Sequence, residues 1–217
     1  MSAYLSKSPF FDFEDATVQA FSGKVIKEGM SELEKAVALY YAVRDDIRYN
    51  PYVFDPSSES FSASLCLTQG QSYCIPKAIL LGALCRLNGI PARLGLADVR
   101  NHLSSPALIE WLQSDVFVMH GYIELYLQGK WVKATPAFDA KLCHLMKVVP
   151  LEFNGLEDSI FHEHNGDGAR HMEYIAEHGT FEDVPHEFIV SSVAQAYPHL
   201  KDSFQDNLKV MAGSSLE

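Results

Sequence analysis

Basic residues are scarce in this sequence of 217 residues. Lys and Arg number 17 against 28 Asp and Glu, so the formal net charge is −11. Nucleic acids and anionic membrane surfaces are bound through clustered Lys and Arg that replace counterions. The composition therefore argues against nucleic acid or membrane as a partner.

Long apolar runs are also missing. The longest, such as AILLGALC at residues 78–85, fall far short of the roughly 20 residues that span a bilayer. The opening residues, MSAYLSKSPFFDFED, lack the basic segment followed by an apolar core that marks an export signal. We therefore expect a cytoplasmic protein whose thiols are reduced.

Cysteine is sparse and follows no paired spacing: the four residues are Cys66, Cys74, Cys85 and Cys143. This pattern does not predict a disulfide framework. Cys85 follows Cys74 by three helical turns, roughly 16 Å along a helix axis, which is too far for a disulfide. Cys66, Cys85 and Cys143 are interpreted as small core residues.

The first half of the sequence predicts helices. SELEKAVALYYAVRDDIRYN begins with a capping box, Ser31 and Glu34, followed by apolar residues at helical spacing. The stretch NPYVFDPSSESFSAS, residues 50–64, is rich in Pro, Ser and Asn and is interpreted as a loop leading toward Cys74. Residues 75–87 form an apolar segment with a stop signal at Asn88-Gly89, which indicates a buried helix.

The second half predicts strands and then a weaker pattern. Residues 92–99 and 116–127 are rich in β-formers, and Gln128-Gly129 separates the second run from KWVKATP, which indicates a hairpin. Beyond Pro150 a polar, His-rich region holds one expected short helix at about 170–177. With 47% hydrophobic residues, we expect one domain over residues 1–217, with a core at about 30–140 and an extension at about 150–212.

Cys74 lies where the loop becomes the apolar helix. The N-terminus of a helix lowers a cysteine pKa, and its free N–H groups can hold a developing oxyanion. Pro76 is compatible with the first helical turn. Cys74 is thus a candidate nucleophile, while a small core thiol is the alternative.

The predicted hairpin supplies a base and an orienting group. If Gln128-Gly129 forms a two-residue turn, Leu127 faces Lys130, and the same register places His120 opposite Ala137. Asp139 then becomes the diagonal neighbour of His120 and could orient its ring, unless Pro136 breaks the ladder first. A Cys, His and Asp in these roles form a nucleophile, a base and an orienter.

At this point the residues resemble a family. GQSYCIPKAILLGALCRLNGIPARLG followed by HGYIELYLQGKWVKATPAFD is similar to the core of the transglutaminase-like superfamily, and DVRNHL and RHMEYIAEHGTFEDVP are similar to segments of its small bacterial members. The resemblance implies an α+β, papain-like fold with N-terminal helices packed on an antiparallel β-sheet, and the triad Cys74, His120 and Asp139. Many members carry the Asp directly before a Pro, where this sequence has Thr135, so Thr135 stays open as the orienting residue.

The resemblance implies acyl transfer from a carboxamide of a protein, peptide or small molecule through a thioester, as in a transglutaminase, amidase or protease. The Cys74 N–H would hold the oxyanion with a second donor, for which Gln69, Gln71 and Tyr73 are candidates. Gln69 is the first choice, because a side-chain amide on the approach loop can reach over the helix end. No cofactor is expected. The chain lacks the metal loops of the large calcium-activated enzymes, so no calcium requirement is expected either.

Two other classes of function remain open. A broken third triad position would favour a catalytically inactive binding module. A metal-dependent hydrolase could instead use the C-terminal histidines with Glu173, although their spacing matches no common zinc motif and no metal is expected. Those histidines are His162, His164, His171, His178 and His186.

Overall fold

Helices occupy most of the N-terminal half of the protein. The computed structural model describes residues 1–161 and 172–200. Within these residues the α-helices are α1 (Ala16–Val25), α2 (Glu32–Asp46), α3 (Ala63–Gln69), α4 (Cys74–Leu87), α5 (Pro106–Leu112), α6 (Ala140–Met146) and α7 (His186–Ala196). Short 3-10 helices cover Ser2–Leu5, Pro51–Val53, Ser58–Phe61 and Pro198–Leu200. None of the helices in the described residues is long and apolar enough to cross a membrane.

The strands form two sheets. They are β1 (Arg48–Tyr49), β2 (Gln71–Ser72), β3 (Ala92–Asn101), β4 (Val116–Leu127), β5 (Lys130–Ala134) and β6 (Met172–Phe181). The short strands β1 and β2 pair in parallel, whereas the main sheet is antiparallel with the order β5-β4-β3-β6. The expected α+β architecture, with N-terminal helices against an antiparallel sheet, is confirmed.

The ends of α2 and α4 follow their sequence signals. Ser31 caps α2, and Glu34 completes the capping box that the sequence predicts. Helix α4 ends at Leu87, and the following Asn88-Gly89 turns the chain, with Gly89 at a φ of 81° that favours glycine. Because α4 is apolar apart from Lys77 and Arg86, residues 75–86 can all be buried between the other helices and the sheet.

The hairpin between β4 and β5 has the predicted register. Leu127 pairs with Lys130, and Gln128 and Gly129 have φ angles of 50° and 85°, as a two-residue turn of this kind requires. The ladder ends at the Ile123–Ala134 pair, before Pro136. The predicted register is therefore correct for β5, but the strand pairing does not extend to Asp139.

Two secondary-structure predictions are wrong. Residues 50–64 were expected to be a loop, but they contain two 3-10 helices and the start of α3, which Ser62 caps through the backbone N–H of Leu65. The short helix expected at about 170–177 is a strand from Met172 onward, because this segment pairs with β3 along its length. Tertiary pairing thus overrides a weak local helical pattern.

Helix α4 is the centre of the main hydrophobic core. It packs against α2 and α3 on one side and against β4 and β3 on the other. Gly82 lets the helix approach the sheet, because a Cβ there would lie 2.7 Å from the Phe11 ring and 2.8 Å from Ile123. The buried Lys77 donates hydrogen bonds to the carbonyl oxygens of Arg44 and Ile47, which fixes the C-terminal end of α2 to α4. The first turn of α4 is therefore tied to the end of α2 through Lys77, and the middle of the helix packs on the sheet at Gly82.

Candidate active site

Cys74 is the first residue of α4, as the sequence predicts. The preceding residue, Tyr73, provides no side-chain cap, so N–H groups of the first turn are available to other partners. Cys74 is partly accessible, whereas the other three cysteines are buried and free. This contrast makes Cys74 the accessible thiol of the chain.

The backbone of β4 lies directly against this helix end at Gly121. A Cβ at Gly121 would lie 2.8 Å from Ile75 Cα and 3.2 Å from Ile75 N, so only glycine allows this approach. Burial raises the pKa of the Cys74 thiol to about 11, and the N–H groups of Gly121, Ile75 and Cys74 itself act in the opposite direction. The thiol thus lies among three backbone donors, one of which belongs to the residue that follows His120.

A local reversal of the backbone precedes His120. Met119 has a φ of 61°, and its N–H donates to Asp98 Oδ1 at 3.0 Å. The same Asp98 oxygen is 2.8 Å from His178 Nε2. The register between β3 and β4 shifts in this region, between Ala97 and Val99. Asp98 therefore stabilises the backbone geometry that sets the direction of the His120 side chain.

His120 is buried among aromatic rings. Its ring lies 5.5 Å from that of Phe161 and 6.4 Å from that of Tyr174, measured between centroids. Burial lowers the pKa of His120 to about 4, so the imidazole is neutral at physiological pH. Its Nε2 atom is buried without a hydrogen-bond partner in the described part of the chain.

Among the described residues, the Asp139 carboxylate forms no hydrogen bond with His120. Its Oδ1 accepts a hydrogen bond from the Leu142 N–H and its Oδ2 accepts one from the Tyr49 N–H, both at 2.9 Å. The physical reason is the end of β5 at Ala134: the chain turns away after Pro136, and Asp139 becomes the N-cap of α6. The expected diagonal contact requires a ladder that is absent at this position.

Two buried hydroxyl groups, those of Thr135 and Tyr174, belong to the surroundings of His120. Thr135 directly follows the last pair of the β4–β5 ladder, which joins Ile123 to Ala134. The buried hydroxyls of Thr135 and Tyr174 have no hydrogen-bond partner of normal geometry within the described residues. Burial raises the pKa of Tyr174, while the Phe161 backbone and, to a smaller extent, the Thr135 hydroxyl lower it, so Tyr174 and Thr135 are neighbours.

The three candidate oxyanion donors have different environments. Gln69 is exposed at the end of α3 and is not part of the cavity at Cys74. Gln71 accepts hydrogen bonds from Arg48 and Asn50 through its side-chain oxygen. Tyr73 is 8% exposed, lines the same cavity as Cys74 and has a buried hydroxyl without a partner among the described residues. Tyr73 is thus the candidate with an available donor at the site.

Cys74 and His120 both line a cavity of about 490 Å³. Its walls come from the segment after α2, from α5 and the residues before it, from β4 and from the helix at the C-terminal end of the described chain. Most lining residues are aromatic or aliphatic, among them Phe117, Phe138 and Trp111. The nucleophile and base candidates therefore share one apolar pocket.

The described histidines do not form a metal site. Within residues 1–161 and 172–200, no group of three or more potential ligands has the required geometry. His178 contacts Asp98, and His186 Nε2 lies 2.9 Å from the Pro56 carbonyl oxygen. Glu173 contacts Arg100 and His102. His162, His164 and His171 lie outside the described residues.

Sequence reasoning missed Gly121, Asp98 and Tyr174. The signal for Gly121 was present, since a glycine within a strand often marks a close approach of another backbone. Asp98 begins the quoted segment DVRNHL, but the sequence assigned it no role, because it reaches Met119 and His178 only across the sheet.

Comparison with known proteins supports the resemblance. The model of the transglutaminase-like superfamily matches residues 19–136, and the chain belongs to that superfamily. No curated protein matches. A crystal structure from Cytophaga hutchinsonii, described as a candidate cysteine protease, is similar over 82% of this chain with 19% identity and a TM-score of 0.48. The match covers 53% of that protein, so the present chain corresponds to about half of its length.

Proposed function

We propose that this protein is a cysteine-dependent enzyme that cleaves or transfers acyl groups from carboxamides or related esters. Cys74 is the nucleophile and His120 is the base. The observation that carries the proposal is the contact of Gly121 with the first turn of α4, since it holds the residue next to His120 against the thiol. Membership of the transglutaminase-like superfamily is consistent with this chemistry.

The pKa values favour a neutral pair before substrate binds. The Cys74 pKa is raised to about 11 and that of His120 is lowered to about 4. His120 would therefore take the thiol proton as sulfur attacks the carbonyl carbon, rather than hold a permanent thiolate. The resulting imidazolium then gives this proton to the leaving amine or alcohol, and a thioester remains for attack by water or an amine.

Charge that develops on the carbonyl oxygen needs donors. The Cys74 N–H is one, because it belongs to the first turn of α4 and has no helical acceptor. Of the candidates from the sequence, Tyr73 is our choice for the second donor, because its hydroxyl has no partner among the described residues and it lines the cavity.

We infer that Thr135, rather than Asp139, positions the His120 ring. The Asp139 carboxylate accepts two backbone hydrogen bonds elsewhere. The buried Thr135 hydroxyl lies next to Tyr174 and has no hydrogen-bond partner of normal geometry among the described residues. A hydroxyl can accept a hydrogen bond from the imidazole but supplies no full charge. Imidazolium would thus be less stabilised than in a triad with a carboxylate.

The experiment compares ester hydrolysis by the wild type, Cys74→Ser and His120→Gln, using a p-nitrophenyl ester and following release of p-nitrophenol. We expect Cys74→Ser to reduce the rate to background and His120→Gln to lower kcat/KM by about 10²-fold or more. Hydroxylamine is added to the reaction to distinguish water from an amine as the acyl acceptor. An acyl-enzyme that reacts with amines transfers its acyl group to hydroxylamine and yields a hydroxamate. Equal rates in all three proteins would refute the proposal.

A catalytically inactive binding module is the second candidate. It is favoured by the raised pKa of Cys74 and the lowered pKa of His120, which leave both side chains neutral. It is also favoured by the absence of a carboxylate hydrogen bond to His120 among the described residues. Such a module would bind a ligand in the same cavity without turnover. A thioester on Cys74 separates the two, because binding alone leaves the thiol unmodified.

A further inference from the structure

The cavity at Cys74 has few groups that could pair with a charged substrate. Arg48 is the one side chain with a full charge at neutral pH among its described lining residues, and it is exposed and donates to Gln71. An ammonium group moved into such a site would lose its hydration without gaining a charged partner, and a carboxylate would have only Arg48, which already donates to Gln71. An apolar group would instead gain free energy from its removal from water.

The walls also limit the shape of the ligand. Val99 and Phe117 lie on neighbouring strands of the sheet, and Leu108 lies on α5. At the exposed side, the Tyr52 ring meets the Trp111 ring edge to face at 5.0 Å between centroids. A volume of about 490 Å³ falls within the roughly 300–1,000 Å³ typical of pockets that enclose small organic ligands.

We propose that the acyl group accepted by Cys74 is apolar, namely an aliphatic chain of about six to eight carbon atoms or an arylalkyl group of similar size. This inference rests on the proposed function and narrows its substrate class. The Cys74 sulfur forms a bond to the acyl carbon while the bond from that carbon to the amine or alcohol breaks. His120 transfers the thiol proton to the leaving group, and water then releases the carboxylic acid and restores the thiol.

The test is a series of p-nitrophenyl esters: acetate, butyrate, hexanoate, octanoate and the negatively charged monosuccinate. Rates of Cys74→Ser are subtracted at each length to remove reactions elsewhere. We expect kcat/KM to increase up to about fourfold per added methylene, from about 0.8 kcal/mol per buried CH₂, and the monosuccinate to react more slowly than butyrate. A constant or falling kcat/KM along the series, with Cys74 still acylated, would overturn the inference and leave the proposed function intact.

A matched pair of variants tests the position of the acyl chain. Leu108 is half-buried and lines the cavity, whereas the neighbouring Ile109 is 38% exposed and does not. An Asp at either position lies near the N-terminal end of α5, where its charge is compatible with the helix dipole. We expect Leu108→Asp to lower the octanoate-to-acetate ratio of kcat/KM by about tenfold, and Ile109→Asp to preserve it. Equal ratios in both variants would contradict this placement, and the ester series decides the inference if Leu108→Asp does not fold.

Failure of the proposed function gives a different result. If no ester produces an acylated Cys74 above the Cys74→Ser background, the chemistry itself is wrong and chain length is irrelevant. If acylation occurs but is fastest with acetate or monosuccinate, only the substrate class is wrong.

Discussion

Replacing Gly121 by Ala tests the close approach of β4 to the first turn of α4, on which the proposed pairing of His120 with Cys74 depends. The added Cβ would lie 2.8 Å from Ile75 Cα and 2.9 Å from Ile75 Cγ1. The nearer atom is backbone, so rotation of the Ile75 side chain alone cannot relieve the clash. Either the first turn of α4 or the β4 backbone must move by several tenths of an ångström.

The expected cost is that of overpacking a rigid core, about 1–3 kcal/mol in the free energy of unfolding. For a protein of this size, that corresponds to a decrease in Tm of roughly 2–12 °C. The same displacement changes the position of His120 relative to the thiol. Because a shift of about 1 Å can reduce a rate by about 10²-fold, a shift of several tenths of an ångström should reduce it by roughly tenfold. We therefore expect Gly121→Ala to hydrolyse esters more slowly than the wild type even at a temperature where the variant is fully folded. The lost stability alone would not explain this decrease.

Gly23→Ala is the matched control. Gly23 lies within α1, and no heavy atom lies within 4 Å of a Cβ built there. Alanine at this position should stabilise the helix by up to about 1 kcal/mol and leave hydrolysis unchanged. Thermal unfolding and kcat/KM are measured on both variants. A Gly121→Ala protein with wild-type Tm and activity would refute the close approach and, with it, the assembly of the site.

Three further outcomes follow from the charges and hydrogen bonds of the site. Iodoacetamide should label Cys74 before the three buried cysteines, as followed by peptide mapping. The labelling rate should rise about tenfold per pH unit toward the Cys74 pKa of about 11. A labelling rate that reaches a plateau below pH 8 would indicate a thiolate instead. Asp139→Ala should lower the free energy of unfolding by about 1–3 kcal/mol, because its capping hydrogen bonds are lost. Thr135→Val should lower kcat more than Asp139→Ala does, when both variants are assayed in the folded state. The reverse order would show that Asp139 orients the His120 ring. The His120 pKa falls from 6.5 to about 4 on folding, so the unfolded chain binds the proton first as pH falls. Up to about 3 kcal/mol of stability is therefore lost between pH 6.5 and pH 4. Denaturant unfolding of His120→Gln should lack this loss, and the same pH dependence in the variant and the wild type would argue against burial of the ring.

The elements that carry Cys74 and His120 could be predicted because their signals are local. The apolar run with its Asn88-Gly89 stop defines α4, and Gln128-Gly129 fixes the register of β4 against β5. These features depend on residues close in sequence, where propensity and turn geometry act directly.

The surroundings of His120 could not be predicted in the same way. Asp139 satisfies the pattern of an orienting carboxylate, but the N–H groups of Tyr49 and Leu142 compete for it after the chain leaves the sheet. Tyr174 enters from β6, a strand that forms only through its pairing with β3. Contacts between distant segments decide these positions, and a single sequence contains no local signal for them.

The most direct measurement of the central claim is the location of a trapped acyl group. The wild type and His120→Gln are mixed with p-nitrophenyl hexanoate, quenched in acid within the first turnover and mapped by peptide mass spectrometry. The account predicts a hexanoyl thioester on Cys74 of the wild type, formed at least about 10²-fold more slowly in His120→Gln. An acyl group on another residue, or one that forms on Cys74 at the same rate without His120, would contradict it.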